Sequence, residues 1–595
     1  MTSNPEISVV IATYNRREIL LRCLSTLFGQ DLAPELYEVV VVVDGSTDGT
    51  AEALRTLHPR CGWQVLERPH GGISPARNDG IRVARGPIIL ILDDDIFCAP
   101  DVLRLHLDAH HNCPPQIVFG PVLIAPESLP TLATDAYREI VDAWMASLAQ
   151  SAPLRWPLHA ALDPNTSLPL SLFRDYGAFD ESLPYQREDS EIGMRFWKRG
   201  VPFRFLPTAI THHLVVKKTW EALGPDMASF GKNDLHLARK VPEYRPYSVP
   251  ARIAQGPWWK RALRRWAATL PFSPAPLFMA LLAPFELLRG LGLFRRWGVK
   301  LFRVLSSALA IRSAAREAGS WNNLRREFGL RLPVFTYHHI GETPRRWVPG
   351  LSIPPAVFEG QIGWLARHGY KSIRSADWRD WIRAGKPLPD KPILLTFDDA
   401  YADVARYALP VLKRYGFTGL VFVVTSLMGQ TNKWDGAAGY PSLAMMTVEE
   451  IRSWAQQGME FGAHSRTHPH LTKVSAQTLQ DEIAGSGKDL EELLQLPITS
   501  FAYPYGSIDE GACEVAGKVF DLAFTTGEGI NTLGTDLHRL LRGAVMPKDS
   551  RFTLWWRSHL GFDPVASMLL HVRRAIIKTF FGSAEDPLEA ARSKQ

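Results

Sequence analysis

Along residues 1 to about 125 the chain alternates two hydrophobic periods. ISVVIAT, EVVVVV and PIILIL are unbroken apolar runs of strand length. Between them, REILLRCLSTLF and DGTAEALRTL repeat their apolar positions at helical spacing. Apolar strands separated by one-sided helices predict a parallel sheet covered by helices. From about residue 332 the alternation resumes. PVFTYHHI, KPILLTFDD, TGLVFVV, GMEFGAH and SFAYPYG are short apolar runs, each ending in polar residues, and VEEIRSWAQQG and LQDEIAGSGKDLEELLQ carry helical spacing. Polar side chains gathered at strand ends predict an α/β barrel with its chemistry there. GSGK at 485–488 lies inside a helical pattern and reads as helix surface. Residues 240–257 hold prolines at 242, 246, 250 and 257 and read as a linker. The patterns predict an α/β chain with a domain over 1–240, a proline-rich linker and basic amphipathic helical segment over 241–331, a second domain over 332–550, and a basic amphipathic tail over 551–595.

Composition narrows the class. At 595 residues the chain is too long for one core, and 46% hydrophobic with 22% charged residues is a globular balance. The start, MTSNPEISVVIATYN, has neither a basic nor a long apolar region, so no cleaved secretory signal is expected. Five cysteines without C-x-x-C spacing argue against a disulfide framework or a cysteine zinc site. The net charge of +6 is uneven: residues 251–316 contain twelve Lys/Arg and one acid, Glu286, which is +11, so the remainder sums to −5. Residues 267–285 carry no charge, but Pro271, Pro274, Pro276 and Pro284 interrupt them. A basic amphipathic segment lying on an anionic membrane surface fits better than a spanning helix, with Trp258, Trp259, Trp266 and Trp297 as interfacial anchors. An inter-domain helical hairpin with a solvated basic face is the bland alternative. No nucleic-acid motif accompanies the patch, so nucleic acid is not expected as a partner. The expected location is cytoplasmic, at the inner face of the cell membrane.

Candidate chemistry in the second half centres on HSRTHPH at 464–470 and TFDDA at 396–400. His464 and His468, four residues apart, can reach one ion. Two adjacent carboxylates at the end of an apolar strand are costly without a cation. One Asp and two His make a three-ligand set with open positions for water, and the other Asp is free to act as base. TFDDA, HSRTH and FAYPYG together resemble the polysaccharide deacetylases with a NodB-homology domain, carbohydrate esterase family 4, over roughly 332–550. The resemblance implies a distorted (β/α) barrel, with Asp399, His464 and His468 holding Zn²⁺ or a similar divalent metal. It implies Asp398 as base and Tyr505, with its backbone amide, at the oxyanion site. The family's acid is a histidine; TYHHI at 336–340 stands upstream, an order that resembles the circularly permuted branch of poly-N-acetylglucosamine deacetylases. His338 is therefore expected as the acid, with His339 as runner-up. The family's arginine before the P-Y motif is replaced here by Ala502 and Tyr503, and Arg542 is a candidate substitute.

In the first half, DDD at 93–95 ends the run PIILIL. Such a cluster can cap a helix, or it can offer a hard cation its oxygens opposite a diphosphate. ISVVIATYN, VVDGSTDGT, SPARNDG, LDDD and EDSEIGMR (188–195) occur in that order and together resemble family-2 glycosyltransferases of the Rossmann-like GT-A fold, over about 5–240. The resemblance implies that Tyr14 and Asp44 hold the nucleoside of a nucleotide-sugar donor, with Arg77 and Asn78 nearby. Asp93 and Asp95 would hold Mg²⁺ or Mn²⁺, joined by His212 or His213. Asp189 would deprotonate the acceptor hydroxyl for inverting transfer, with Glu188 beside it as a substrate contact.

The joint expectation is a bifunctional carbohydrate enzyme, with a glycan or lipid-linked acceptor for the transferase and an N-acetylated sugar or polysaccharide for the deacetylase. Its rival is a chain in which only one domain is active and the other binds carbohydrate or serves as a scaffold.

Overall fold

The protein is described here by a computed structural model covering residues 4–150, 162, 164–183, 186–342, 351–436 and 441–568. The chain divides into two compact units, Met1–Leu324 and Arg325–Gln595. The 551–595 tail expected from the sequence lies outside the described residues beyond 568.

The first unit is built on the strands β1 (Ile7–Thr13), β2 (Tyr37–Asp44), β3 (Gly62–Arg68), β4 (Ile88–Asp93), β5 (Ile96–Cys98), β6 (Ile117–Phe119), β7 (Val122–Ile124), β8 (Thr166–Pro169), β9 (Phe203–Phe205) and β10 (Thr211–His213). Seven of them form one sheet in the order β3-β2-β1-β4-β8-β6-β9, and β5, β10 and β7 form a second, small sheet. β1 and β2 are buried almost throughout, as central parallel strands covered on both faces must be. The covering helix Arg17–Phe28 buries Leu20, Cys23, Leu24 and Leu27, one helical stripe. Helix Ile73–Val83 covers the opposite face, and Gly80 lets it approach: a Cβ there would lie 2.5 Å from Val10 Cγ1. The strand order reverses between β1 and β4, which puts a crevice at the C-terminal ends of β1, β2 and β4.

The segment expected as a linker is instead part of this unit. Tyr244, Arg245, Val249, Pro250, Ala251 and Ile253 are buried. Helices Trp258–Thr269, Ala275–Leu287 and Gly292–Glu317 follow. Ala267, Phe278, Leu282, Val299, Phe302 and Leu305 share a core with Leu132, Ala133 and Leu223. Gly231, on helix Met227–Lys240, sits so close to the last of these helices that a Cβ would lie 1.9 Å from the Ala310 carbonyl oxygen.

The second unit carries β11 (Val334–Tyr337), β12 (Lys371–Ser372), β13 (Pro392–Phe397), β14 (Leu420–Val423), β15 (Glu460–Ala463), β16 (Ser500–Ala502), β17 (Leu522–Phe524) and β18 (Gly543–Ala544). The order is β17-β16-β15-β14-β13-β11-β18, with β12 beside β13, and every pairing is parallel. This is a distorted (β/α) barrel; among the described residues no strand pair closes β17 onto β18. GSGK lies in helical structure, where Lys488 is exposed but Ser486 and Gly487 are buried.

Candidate active sites

Strand register assembles the site of the second unit. Tyr337 of β11 pairs with Phe397 of β13, so His338 and Asp398 leave the sheet side by side. Their Nε2 and Oδ2 atoms are 3.8 Å apart. β15 ends at Ala463, and His464 leaves the same edge. Asp399, His464 and His468 are buried, and one donor atom from each lies within 4.8 Å of the others. His464 and His468 bring Nε2 to 3.5 and 3.3 Å from Asp399 Oδ1.

The hydrogen bonding says what this trio fits. His464 Nδ1 is 2.8 Å from the Ala502 carbonyl, which can only accept, so Nδ1 carries the proton and Nε2 a bare lone pair. Burial, ahead of the opposing pull of Asp398, pushes the His464 pKa down to about 4; burial and the neighbouring His464 push His468 well below its ordinary value. A bare lone pair facing a carboxylate oxygen across a buried gap is repulsive until a cation lies between them. The three donors therefore fit a divalent metal.

Asp398 is held differently. Arg542 donates to both of its oxygens, from Nη1 at 2.6 Å and Nη2 at 2.9 Å, while its Nε donates to the Thr525 carbonyl at 2.8 Å. Burial alone would raise the Asp398 carboxyl; Arg542, then His464 and His338, override it and hold it at about 2. His338 is pushed below its ordinary value by burial and by Arg542, against the pull of Asp398. The second histidine of TYHHI is committed elsewhere: His339 pairs with Asp403, and its Nδ1 is 2.8 Å from the Ser352 hydroxyl.

The backbone here is strained. Asp399, Ala400, Ser465, His468 and Tyr505 all have left-handed φ, between 56° and 69°. Each such non-glycine residue costs on the order of 1 kcal/mol or more and persists only where its surroundings dictate it. Glu482 supplies part of that constraint, accepting the amides of Arg466 (2.8 Å) and Thr467 (2.9 Å) and the Thr467 hydroxyl (2.6 Å). Ser465 Oγ accepts the His468 amide at 3.0 Å. Trp434 stacks on His468 and His470 on Tyr505, with ring centroids 4.3 and 4.2 Å apart. Neither Glu482 nor Trp434 emerges from the sequence, because neither stands in a motif or at the end of an apolar run.

In the first unit the crevice gathers the ends of β1, β2 and β4. Tyr14 is exposed and stacks on His70, centroids 4.1 Å apart. Asp44 accepts the amides of Gly71 (3.0 Å) and Gly72 (2.8 Å) and pairs with Arg68 and His70. Arg77 is buried and bridges Asp93 Oδ1 (2.6 Å) to Glu188 Oε1 (3.1 Å). Burial first, and Asp189 second, raise the Glu188 pKa. Asp189 lies in the first turn of helix Glu188–Lys198, where its Oδ1 accepts the Ser190 amide at 2.7 Å. Asn78 is tied to the 179–181 segment: its side chain bonds the Phe179 backbone at 2.9 Å in both directions and donates to Glu181 Oε1 at 2.8 Å. Of the two β10 histidines, His213 is the one that meets the acidic cluster, with Nε2 3.2 Å from Asp95 Oδ2; strand alternation turns His212 to the other face.

Guanidinium groups stand where the resemblance implies a cation. Arg16 donates to Asp94 Oδ1 and Asp95 Oδ2, both at 2.7 Å, and Arg77 holds Asp93. Burial, opposed by Arg16, raises Asp94 to about 7, whereas the His213 bond and Arg16 outweigh burial and bring Asp95 to about 2. In this arrangement Arg16 and Arg77 neutralise the three carboxylates, and a divalent cation held by Asp93 and Asp95 would take the Asp95 oxygen from Arg16.

Comparison with known proteins agrees with this division. The glycosyl transferase family 2 profile matches residues 8–139 and the polysaccharide deacetylase profile residues 385–519. YxkH of Bacillus subtilis (strain 168), provisionally named a polysaccharide deacetylase, is 26% identical over 241 residues, 40% of this chain and 80% of that protein. Validoxylamine A glucosyltransferase of Streptomyces hygroscopicus subsp. limoneus is 34% identical over 229 residues, 33% of this chain and 49% of its own. Poly-beta-1,6-N-acetyl-D-glucosamine N-deacetylase of Staphylococcus aureus (strain MRSA252) is 25% identical over 180 residues, 29% of this chain and 59% of its own. The chain thus spans about half the length of the glucosyltransferase and about three-fifths of the N-deacetylase.

Proposed function

From a chain that joins a family-2 glycosyltransferase domain to a polysaccharide deacetylase domain, we propose an enzyme that transfers a sugar from a nucleotide-sugar donor and hydrolyses the N-acetyl group of a glycan. The observation that carries the hydrolytic half is the buried Asp399–His464–His468 trio beside a carboxylate kept ionised by Arg542. A divalent metal such as zinc, held by the trio, would polarise the acyl oxygen and make water more acidic. Asp398 takes a proton from the attacking water. Its low basicity favours passing that proton on, and His338 Nε2 is the acceptor 3.8 Å away. His338, neutral at rest, then delivers it to the departing amine, so that a free amine and acetic acid leave, the second proton of the water staying on the acid until it ionises in solution. Tyr505 and its amide line the oxyanion side, and Trp434 and His470 offer flat surfaces against the sugar. The similarity to an N-deacetylase of poly-N-acetylglucosamine supports an N-acetylated glycan over an O-acetyl ester.

In the transferase half, the Tyr14–His70 stack is a platform for the nucleoside, and Asp44 shapes it through Arg68, His70, Gly71 and Gly72. Asp189 is the base for the acceptor hydroxyl, a glycan or a lipid-linked sugar. Arg16 and Arg77 put positive charge beside the departing diphosphate. Incubation of the purified chain with nucleotide sugars and with chito-oligosaccharides, read by mass for glycosyl gain and acetyl loss, tests both halves. In the same assay His338→Ala lowers deacetylation by roughly 10²–10⁴-fold with bound metal near the wild-type level. Loss of metal in that variant would make His338 a ligand rather than the acid.

A further inference from the structure

Helix Ala275–Leu287 is anchored on one side only. Phe278 and Leu282 are buried in the core it shares with Val299 and Phe302. Its other side is apolar and exposed: Leu277 (51%), Ala280, Leu281 (48%) and Pro284. They follow one another at i, i+3, i+4 and i+7, a stripe that a surface helix normally buries. The corner that follows, LLRGLGL at 287–293, continues it with Leu287 (84%), Leu291 (57%) and Leu293 (67%). The corner is nonetheless rooted, since Phe285 and Phe294 meet across it and Arg289 is tied to Asp135 at 3.1 Å.

Positive charge borders this apolar face. Arg295, Arg296 and Lys300 are exposed on helix Gly292–Glu317. Trp297 is exposed among them, with Lys300 over its ring. Exposed leucines at a rigid corner, a tryptophan at its margin and a cationic border make the surface that an anionic bilayer complements. A second protein would have to match both an apolar ridge and a dense positive field, whereas an anionic leaflet offers acyl chains and phosphates together. Thirteen helical residues extend only about 20 Å, short of the ~30 Å hydrocarbon layer, and no helix among the described residues is long and apolar enough to cross a membrane. We infer that the corner at residues 287–293 seats its leucines among the headgroups and upper acyl chains of an anionic leaflet, with the first unit lying on the membrane rather than through it.

Flotation of the full chain with vesicles tests this, using phosphatidylcholine alone and phosphatidylcholine mixed with phosphatidylglycerol, at low and high salt. The wild type floats with the anionic vesicles, and high salt weakens recovery by screening the charges. Arg295→Glu with Arg296→Glu lowers partitioning at low salt by roughly fivefold or more per residue. Leu287→Asp with Leu293→Asp lowers it by at least roughly tenfold at either salt. Both variants keep the wild-type melting temperature, because the changed side chains are exposed. Equal recovery with neutral and anionic vesicles overturns the inference, as does a leucine variant that floats like the wild type. A dimer in light scattering that the leucine variant abolishes, with no vesicle binding by the wild type, assigns the face to a second copy instead.

Discussion

Asp398 and Arg542 form a buried, bidentate ion pair, and such pairs respond unequally to the loss of either member. Arg542→Met strands a carboxylate in an apolar setting, at a cost of about 3–5 kcal/mol. The Asp398 pKa then rises, and the acid limb of the deacetylation pH profile moves upward with it. Adding Asp398→Asn to that variant restores much of the lost stability while leaving deacetylation dead; chemical unfolding of the two variants side by side checks this. The histidines predict a second pH effect in the metal-free chain. His464 is held at about 4 when folded but titrates near 6.5 when unfolded. The folded state binds fewer protons between these values, so stability is full above ~6.5 and falls toward pH 4 by up to ~1.4 kcal/mol per unit per histidine. Urea unfolding of chelator-treated protein at pH 7 and pH 5.5 measures the loss, and an unchanged midpoint would contradict neutral buried rings. Much of this site is legible in the sequence, because TFDD and HSRTH place polar residues where apolar runs stop. Arg542 is weakly legible, since nothing in LLRGAV marks a partner 144 residues away. The choice between His212 and His213 depends on strand register, and the role of Arg16 on a fold that brings it to residues 94 and 95.

Secondary elements are legible where they are periodic. β1, β2, β4 and, in the second unit, β11 and β13 to β16 follow from their apolar runs, and helix Arg17–Phe28 from its stripe; β12, β17 and β18, two or three residues each, are too short to carry a period. The segment 240–257 is not, because prolines mark the absence of a long helix without saying what the chain packs against. Here short turns bury Tyr244, Pro250 and Ile253 and lead into helices that share a core with Leu132, Ala133 and Leu223 of the first unit. The helix contact at Gly231 is the test of that docking. Gly231→Ala forces a methyl group into the Ala310 carbonyl, 1.9 Å away, and overpacking of this kind costs about 1–3 kcal/mol. The first unit should melt earlier in calorimetry, with the transition of the second unit unmoved. A single transition shifted as one would mean that the two units unfold together.

At the scale of the whole molecule the two activities should separate. Asp189→Asn is expected to abolish glycosyl transfer and spare deacetylation, and Asp398→Asn to do the reverse, because each carboxylate lies inside a different compact unit. Loss of both reactions in either folded variant would refute two independent sites. The second unit also has an order of assembly written into its sheet. β11 lies between β13 and β18, so the strand that opens the unit touches the one that completes it, about two hundred residues later in the chain. Asp398 leaves the ribosome long before Arg542, and until then its carboxylate has no guanidinium to meet. A nascent chain that buried its active-site end early would bury that charge uncompensated. Synthesis therefore delays closure of the catalytic end until the last strand arrives, and a chain arrested before residue 542 will stay open there and be exposed to proteolysis.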